Sequence, residues 1–334
     1  MRGMRRITCF LSLAFMASLA AVPAFAQKKV VAYVPNWIDL ATFSTNIHYA
    51  KLTHINVAFE NPVNAEGDLS FNRKDAALIA AAKQHGVRIL VSIGGGAASE
   101  NKVLLNRYFD LLSGTNRARF VAKLASYVDK HGFDGLDVDI EGPSINKDYG
   151  EFIADLASAL KPKGKLLTAA LSQGYGGSKV PVSVFAHLDF INIMAYDGTG
   201  AWNPNAPGQH SSLDYAKKNV TYWLDRGLPK SKAVLGLPFY GYGFGKEFRK
   251  SSYSYAEILR LHPGAEEGDE IGSTIWFNGV ATIEAKTRYV IDEELAGVMI
   301  WSLDNDVNDS RSLLDVLHRT LKSAPPPAAK RAEP

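Results

Sequence analysis

Residues 132–143 read Gly-Phe-Asp-Gly-Leu-Asp-Val-Asp-Ile-Glu-Gly-Pro. Acids alternate with Val and Ile until Gly142-Pro143 stops the run. Side chains two apart in a strand share a face, so Asp137, Asp139 and Glu141 point one way and Val138 and Ile140 the other. Seven further apolar runs flank this one: Val30–Val34, Leu52–Phe59, Arg88–Ile93, Leu166–Leu171, Phe190–Ala195, Ala233–Phe239 and Gly297–Leu303. Their β-branched content and lack of polar alternation suit strands covered on both faces, as in a parallel sheet. Between them, Asn72–His85, Arg117–Lys130, Asp148–Leu160, Leu213–Asp225 and Leu313–Leu321 read as helices, the first closed by Gly86 as C-cap. Strand–helix alternation repeated eight times predicts an α/β fold, a (β/α)8 TIM barrel rather than a doubly wound sheet. The three acids then face the barrel interior, and Glu141 emerges at the C-terminal rim, where such barrels place their active sites. Residues Tyr242–Ala281 exceed a plain connection. With a helix over Tyr255–Arg260, they predict a short insertion between strands 7 and 8 on the top face.

The chain has 334 residues, 46% hydrophobic and 21% charged, enough for a sizeable core. Arg2, Arg5 and Arg6 precede an apolar stretch from Cys9 to Ala21, and Ala24-Phe25-Ala26 fits a small-residue cleavage site before Gln27. That stretch falls short of the about 20 residues needed to span a bilayer. Residues 1–26 therefore read as a signal peptide, and the protein as exported, periplasmic or secreted. Of 37 Lys and Arg against 34 acids, three Arg lie in the leader, so the formal +3 belongs to it and the rest balances to zero. This gives no general support to a nucleic-acid groove. No later apolar run exceeds about 10 residues, so no membrane association is expected after cleavage. The expected organisation is one barrel over 27–322, a disordered Pro/Ala-rich tail over 323–334, and a monomer.

Three carboxylates aimed into a barrel cannot all ionise cheaply. A proton shared among Asp137, Asp139 and Glu141 raises an apparent pKa and keeps one acid protonated near neutral pH, as a general acid requires. A solvated acidic edge does not fit acids interleaved with Val and Ile. A divalent metal site wants oxygen ligands converging from several segments, and neither His-Glu-x-x-His nor a Cys cluster is present. No metal or other cofactor is expected. Asp134 has the opposite parity and reads as a structural acid at the strand start. Gly241–Lys246 superficially resembles a nucleotide loop, but Glu247 follows the lysine.

Asp134-x-x-Asp137-x-Asp139-x-Glu141 resembles the D-x-x-D-x-D-x-E signature of glycoside hydrolase family 18, the chitinases and their relatives. Ser92-Ile-Gly94-Gly95 is similar to the family's S-x-G-G motif on the third strand, and Met194-Ala-Tyr196-Asp197 to its M-x-Y-D on the sixth. Gly236–Gly241 is similar to G-L-P-x-Y-G on the seventh. Trp301 stands where the family places the aromatic floor of its sugar site, and Ala32–Trp37 resembles its opening strand. The resemblance covers Val30 to Asp306. It implies Glu141, Asp139, Asp137 and Tyr196 as catalytic residues. It implies Tyr33, Phe59, Ser92, Gly94, Gly95, Met194, Asp197, Tyr240 and Trp301 as substrate-binding residues. The expected partner is chitin or an oligosaccharide containing N-acetylglucosamine, and the expected chemistry is retaining and substrate-assisted. On that scheme Asp137 shares a proton with Asp139, Asp139 turns to the acetamido N–H, and Tyr196 donates to the acetamido oxygen. Gly96 and Tyr242 depart from the pattern, where many relatives carry Trp and Arg. The rival readings are an endo-β-N-acetylglucosaminidase acting on N-glycans or peptidoglycan, and a non-catalytic lectin for chitin oligosaccharides. The short insertion and Gly96 suggest a shallow cleft; family lectins typically lack the terminal acid that Glu141 supplies.

Overall fold

The computed structural model describes residues 28–323. The expected signal peptide (1–26) and all but the first residue of the expected tail lie outside the described residues. Ser323 itself closes the last helix, Leu313–Ser323, so the tail begins no earlier than residue 324.

Eight parallel strands close into a barrel, in order Lys29–Pro35, His54–Ala58, Arg88–Gly94, Gly135–Asp139, Leu166–Leu171, Phe190–Ile193, Ala233–Pro238 and Gly297–Trp301. The ring closes where Lys29 pairs with Gly297 and Ala32 with Ile300. All eight expected runs are strands, most of them trimmed by a residue or more at their ends. The fourth is trimmed most. Gly132 sits at φ +75 as the left-handed cap of helix Gly114–His131, so the strand begins only at Gly135. Asp134 lies between them, as a structural acid: its carboxylate accepts the Ile89 N–H at 2.9 Å and lies 3.5 Å from Arg88.

Strand parity sorts the core into two layers. Leu136, Val138 and Ile140 pack outward against the helices, with Phe120, Phe133, Tyr149 and Phe152. The barrel interior holds Val31, Tyr33, Ala58, Ala170, Phe190, Met194, Tyr196, Val234, Tyr240 and Met299. Asp137 and Asp139 belong to that inner face, as the alternation requires.

The expected helices form as Asp75–Gln84, Gly114–His131, Tyr149–Leu160, Leu213–Asp225 and Leu313–Ser323. Two more complete the outer ring. Lys102–Leu112 starts at Asn101, whose side chain accepts the N–H groups of Val103 and Leu104. Val280–Asp292 precedes the eighth strand. The insertion between strands seven and eight is a small sheet of Tyr240–Gly243, Tyr253–Ser254, Glu270–Ile271 and Ile275–Trp276, joined to helix Tyr255–Leu261. No helix among the described residues is long and apolar enough to cross a membrane.

Candidate active site

Register builds the floor of the site. Ser92, Asp137 and Thr168 stand side by side on strands three, four and five. Ser92 Oγ donates to Asp137 Oδ2 at 2.7 Å and Thr168 Oγ1 to Oδ1 at 2.5 Å. Tyr33 Oη, from strand one, adds a bond to Oδ2 at 2.6 Å, and Asn192 Nδ2, from strand six, reaches Oδ1 at 3.4 Å. Burial pushes the Asp137 carboxyl upward, and these four donors pull against it. The arrangement corrects three expectations. Asp137 is saturated by neutral donors and has no hydrogen bond to Asp139, so the shared proton lies elsewhere. Tyr33 and Ser92 are buried at 1% and 0% exposure, so they hold Asp137 rather than line an open cleft.

The proton is shared one step higher, between Asp139 and Glu141. Burial pushes the Asp139 carboxyl well above the usual range, and the charges of Glu141 and Asp137 push it further. Glu141 is raised to about 7 by burial, then by the charges of Asp197 and Glu100. A hydrogen bond joins the two carboxyls, so one proton serves both. Oδ1 of Asp139 is buried with no partner, an acceptor left open beside the acid. The backbone fixes both groups. Gly95 N–H donates to the Asp139 carbonyl at 2.7 Å, and Ser99 Oγ to the Glu141 carbonyl at 2.8 Å. Gly94 adopts φ +106, and a Cβ there would overlap the Asp139 carbonyl. Gly94 and Gly95 thus serve by leaving room: a Cβ on Gly95 would enter the Phe59 ring.

An aromatic floor faces the acids. Trp301 stacks on Phe59 with centroids 5.7 Å apart and meets Tyr33 edge-on at 5.5 Å. Trp37, 65% exposed, continues the row beside Phe59 at 6.5 Å. The opposite wall comes from strands six and seven. Tyr196 is buried, with its hydroxyl 3.9 Å from Met299 Sδ and no closer acceptor. Burial and the neighbouring acids, Asp139 foremost, raise its pKa, so it stays a hydroxyl donor. Asp197, at φ +62, accepts hydrogen bonds from Tyr240 Oη and, at 3.1 Å, from Tyr242 Oη. Tyr242 therefore replaces the expected arginine with a phenol that holds Asp197. It also packs edge-on against Trp202, which is 60% exposed. Met194 and Tyr240 are buried to the same degree as Tyr196 and Asp139.

Of the residues expected in the site, Asp139, Glu141, Tyr196, Asp197, Phe59 and Trp301 converge on one rim with Met194 and Tyr240 just past their strand ends, while Tyr33 and Ser92 bond Asp137 below. Sequence reasoning missed Thr168 and Asn192, which counting inward parity on strands five and six would have found. It also missed Trp37 and Trp202, large aromatics just past strand ends, and Tyr175. The Tyr175 ring lies on Gly142, where φ is +53 and a Cβ would strike it, directly after Glu141.

A closed parallel barrel with proton-coupled carboxyls at its C-terminal rim, above stacked aromatics, defines the class of glycoside hydrolases. The chain belongs to glycosyl hydrolases family 18, whose model matches residues 29–306. It is 34% identical to the family 18 chitinase ChiB from the chitin utilization locus of Flavobacterium johnsoniae. That structure superposes with a TM-score of 0.80 over 88% of this chain and 94% of the other. A chitinase structure from Bacteroides thetaiotaomicron is 28% identical, with a TM-score of 0.78 over 89% and 97% of the two chains. Chitotriosidase-1 of Mus musculus is 28% identical over 89% of this chain and 77% of its own length. Probable chitinase 10 of Drosophila melanogaster is 30% identical over 67% of this chain, which spans only 12% of that longer protein.

Proposed function

We propose that this chain is a chitinase-type glycosidase, cleaving β-1,4-linked N-acetylglucosamine chains with retention by means of the substrate's own acetamido group. The observation that carries the reading is the one-sided pair of Asp139 and Glu141. Ordinary glycosidases flank the scissile bond with two carboxylates. Here Asp139 ends strand four and Glu141 follows two residues on, the floor is Trp301 and Phe59, and Asp197 on the opposite wall is engaged by Tyr240 and Tyr242. The nucleophile then has to arrive with the substrate.

On this reading the sugar bearing the scissile bond lies on Trp301. Glu141 takes the proton it shares with Asp139, leaving Asp139 a carboxylate, and gives it to the glycosidic oxygen as the C1–O bond breaks and the leaving sugar departs as an alcohol. The acetamido carbonyl oxygen closes on C1 to give an oxazolinium ion. Asp139 turns its open Oδ1 to the acetamido N–H and carries the charge that offsets the cation. Tyr196 donates to the acetamido oxygen, and Asp197 holds the sugar's polar edge. Glu141, now ionised, takes a proton from water as the hydroxide adds to C1, which restores the acetamide and the acid. A Glu141 pKa near 7 suits both halves of this cycle. Trp37, beside Phe59, and Trp202, beside Tyr242, serve as outer stacking surfaces for a chain of several sugars.

That two structures sharing 34% and 28% identity are both chitinases supports this substrate class. We further assign residues 1–26 as a leader removed on export, 27–323 as the catalytic barrel, and a monomer as the working form. The test is product release from N-acetylchitooligosaccharides by the wild type, an EDTA-treated sample and Glu141→Gln. Cleavage that survives EDTA and disappears in Glu141→Gln is expected. A wild type that binds the oligosaccharides without cutting them would overturn the reading in favour of a lectin, and cleavage of N-glycans or peptidoglycan alone would move the substrate.

A further inference from the structure

Behind the wall that carries Tyr196 and Asp197 lies a lysine with no part in the scheme above. Lys286, on helix Val280–Asp292, is wholly buried. Its ammonium donates to Ser211 O at 2.7 Å, Ser211 Oγ at 2.6 Å and Asn278 Oδ1 at 2.6 Å. Three protons meet three neutral acceptors. The carboxylate that bears on it from a distance, Asp269, is occupied by Gly279 N–H at 2.8 Å and Thr282 Oγ1 at 2.5 Å. Burying a lysine without an ion-pair partner is costly, so the position demands a reason.

The reason lies in what Ser211 and its neighbours hold. Ser211 Oγ donates to the Ala195 carbonyl at 2.7 Å. His210 O accepts the Gly198 N–H at 2.9 Å, and His210 Nδ1 accepts the Asp197 N–H at 3.4 Å. With Nδ1 accepting, Nε2 carries the proton and donates it to the Tyr240 carbonyl at 3.2 Å. Residues 209–211 are thus a strap across the turn 195–198, and Gln209 ties it again through Phe277 O at 2.5 Å. The turn needs such a strap, because Asp197 sits in the left-handed region at φ +62, which a residue with a side chain adopts only when its surroundings impose it. Asn278 reinforces the same point, donating to Ser211 O at 2.8 Å.

We propose that Lys286 is a positioning residue: through Ser211 and His210 it holds the strained turn that presents Tyr196 and Asp197 to the substrate. The proposal rests on the reading of those two residues as substrate contacts, so it is tested by two independent readouts. Lys286→Met keeps the apolar stem and removes all three donors. Hydrogen exchange of the Asp197 and Gly198 amides should then accelerate at least tenfold, with the Met299 strand unchanged. On N-acetylchitooligosaccharides kcat/KM should fall about 10- to 100-fold, the scale of a remote misplacement in an active site. In a Tyr196→Phe, Asp197→Asn background the same substitution should cost less than threefold, because both groups it positions are gone.

A variant that melts earlier but keeps kcat and KM within twofold, or whose effect adds fully to that of the Tyr196→Phe, Asp197→Asn pair, overturns the proposal. So does exchange at 197–198 that rises no more than elsewhere in the barrel. Should Lys286→Met fail to fold, Ser211→Ala carries the same tests, since its hydroxyl links the lysine to Ala195. A wild type without glycosidase activity would sink the functional reading alone, and exchange would still decide the strap.

Discussion

Replacing Glu141 by Gln should make the protein inactive and, at alkaline pH, more stable. The carboxyl is raised from its ordinary 4.5 to about 7, chiefly by burial. A group that binds its proton more tightly in the folded chain than in the unfolded one stabilises the fold most below the unfolded value. That contribution is lost as the pH climbs through the folded value. For Glu141 the loss runs from about pH 4.5 to somewhat above 7, and the shift corresponds to about 3 kcal/mol. Glutamine carries no proton to lose. It also removes the charge that most strongly opposes ionisation of Asp139. For a domain of this size 1 kcal/mol moves Tm by roughly 2 °C. The Tm advantage of Glu141→Gln over the wild type should therefore grow by about 6 °C between pH 4.5 and 8. Scanning calorimetry of both proteins at half-unit pH steps reads this directly. In the same samples, loss of the general acid should cost on the order of 10²–10⁴ in kcat. Parallel Tm curves, or a variant less stable than the wild type at pH 8, would refute the account of Glu141 as an acid held under strain by its burial.

Three further outcomes are expected. Gly94→Ala puts a Cβ into the Asp139 carbonyl at φ +106, and should cost about 2–5 kcal/mol in urea denaturation along with most activity. A loss below 1 kcal/mol would show that the turn yields. Thr168→Val keeps the shape and removes the 2.5 Å bond to Asp137. About 1.5–3 kcal/mol should be lost, and the Asp137 carboxyl should titrate higher by carboxyl NMR. Gly96→Trp enters open space, where a Cβ meets only Glu100 Oε1 at 3.8 Å. It should leave Tm nearly unchanged and tighten binding of longer oligosaccharides by roughly 1 kcal/mol, measured by calorimetric titration.

The barrel was legible because its signal is repeated: eight apolar runs, each followed by chain that can cross back. The acid ladder was legible for the same reason, since parity alone places Asp137, Asp139 and Glu141 on one face. What parity does not supply is register. Tyr33 and Ser92 share the inward face, but only the stagger between strands shows that they lie below the rim, against Asp137, out of reach of the cleft. The proton's location depended on that same stagger. Asp137 was free to share it until four donors from other strands filled its oxygens. Helix Lys102–Leu112 was missed although its sequence carries the signal, with Tyr108, Leu111 and Leu112 buried at helical spacing behind the Asn101 cap. Lys286 and His210 were invisible because nothing in their local sequence marks a lysine or histidine for burial.

The cluster around Asp137 has a consequence for how the protein folds. Its carboxylate is gathered by side chains from strands one, three, five and six, and Asn192 also reaches Tyr33 Oη at 3.3 Å across 159 residues of chain. No local segment can assemble that group, so the fourth strand acquires its surroundings only when the ring of strands closes. Regain of glycosidase activity during refolding should then report closure itself, arriving with the last strand pairing and never ahead of it.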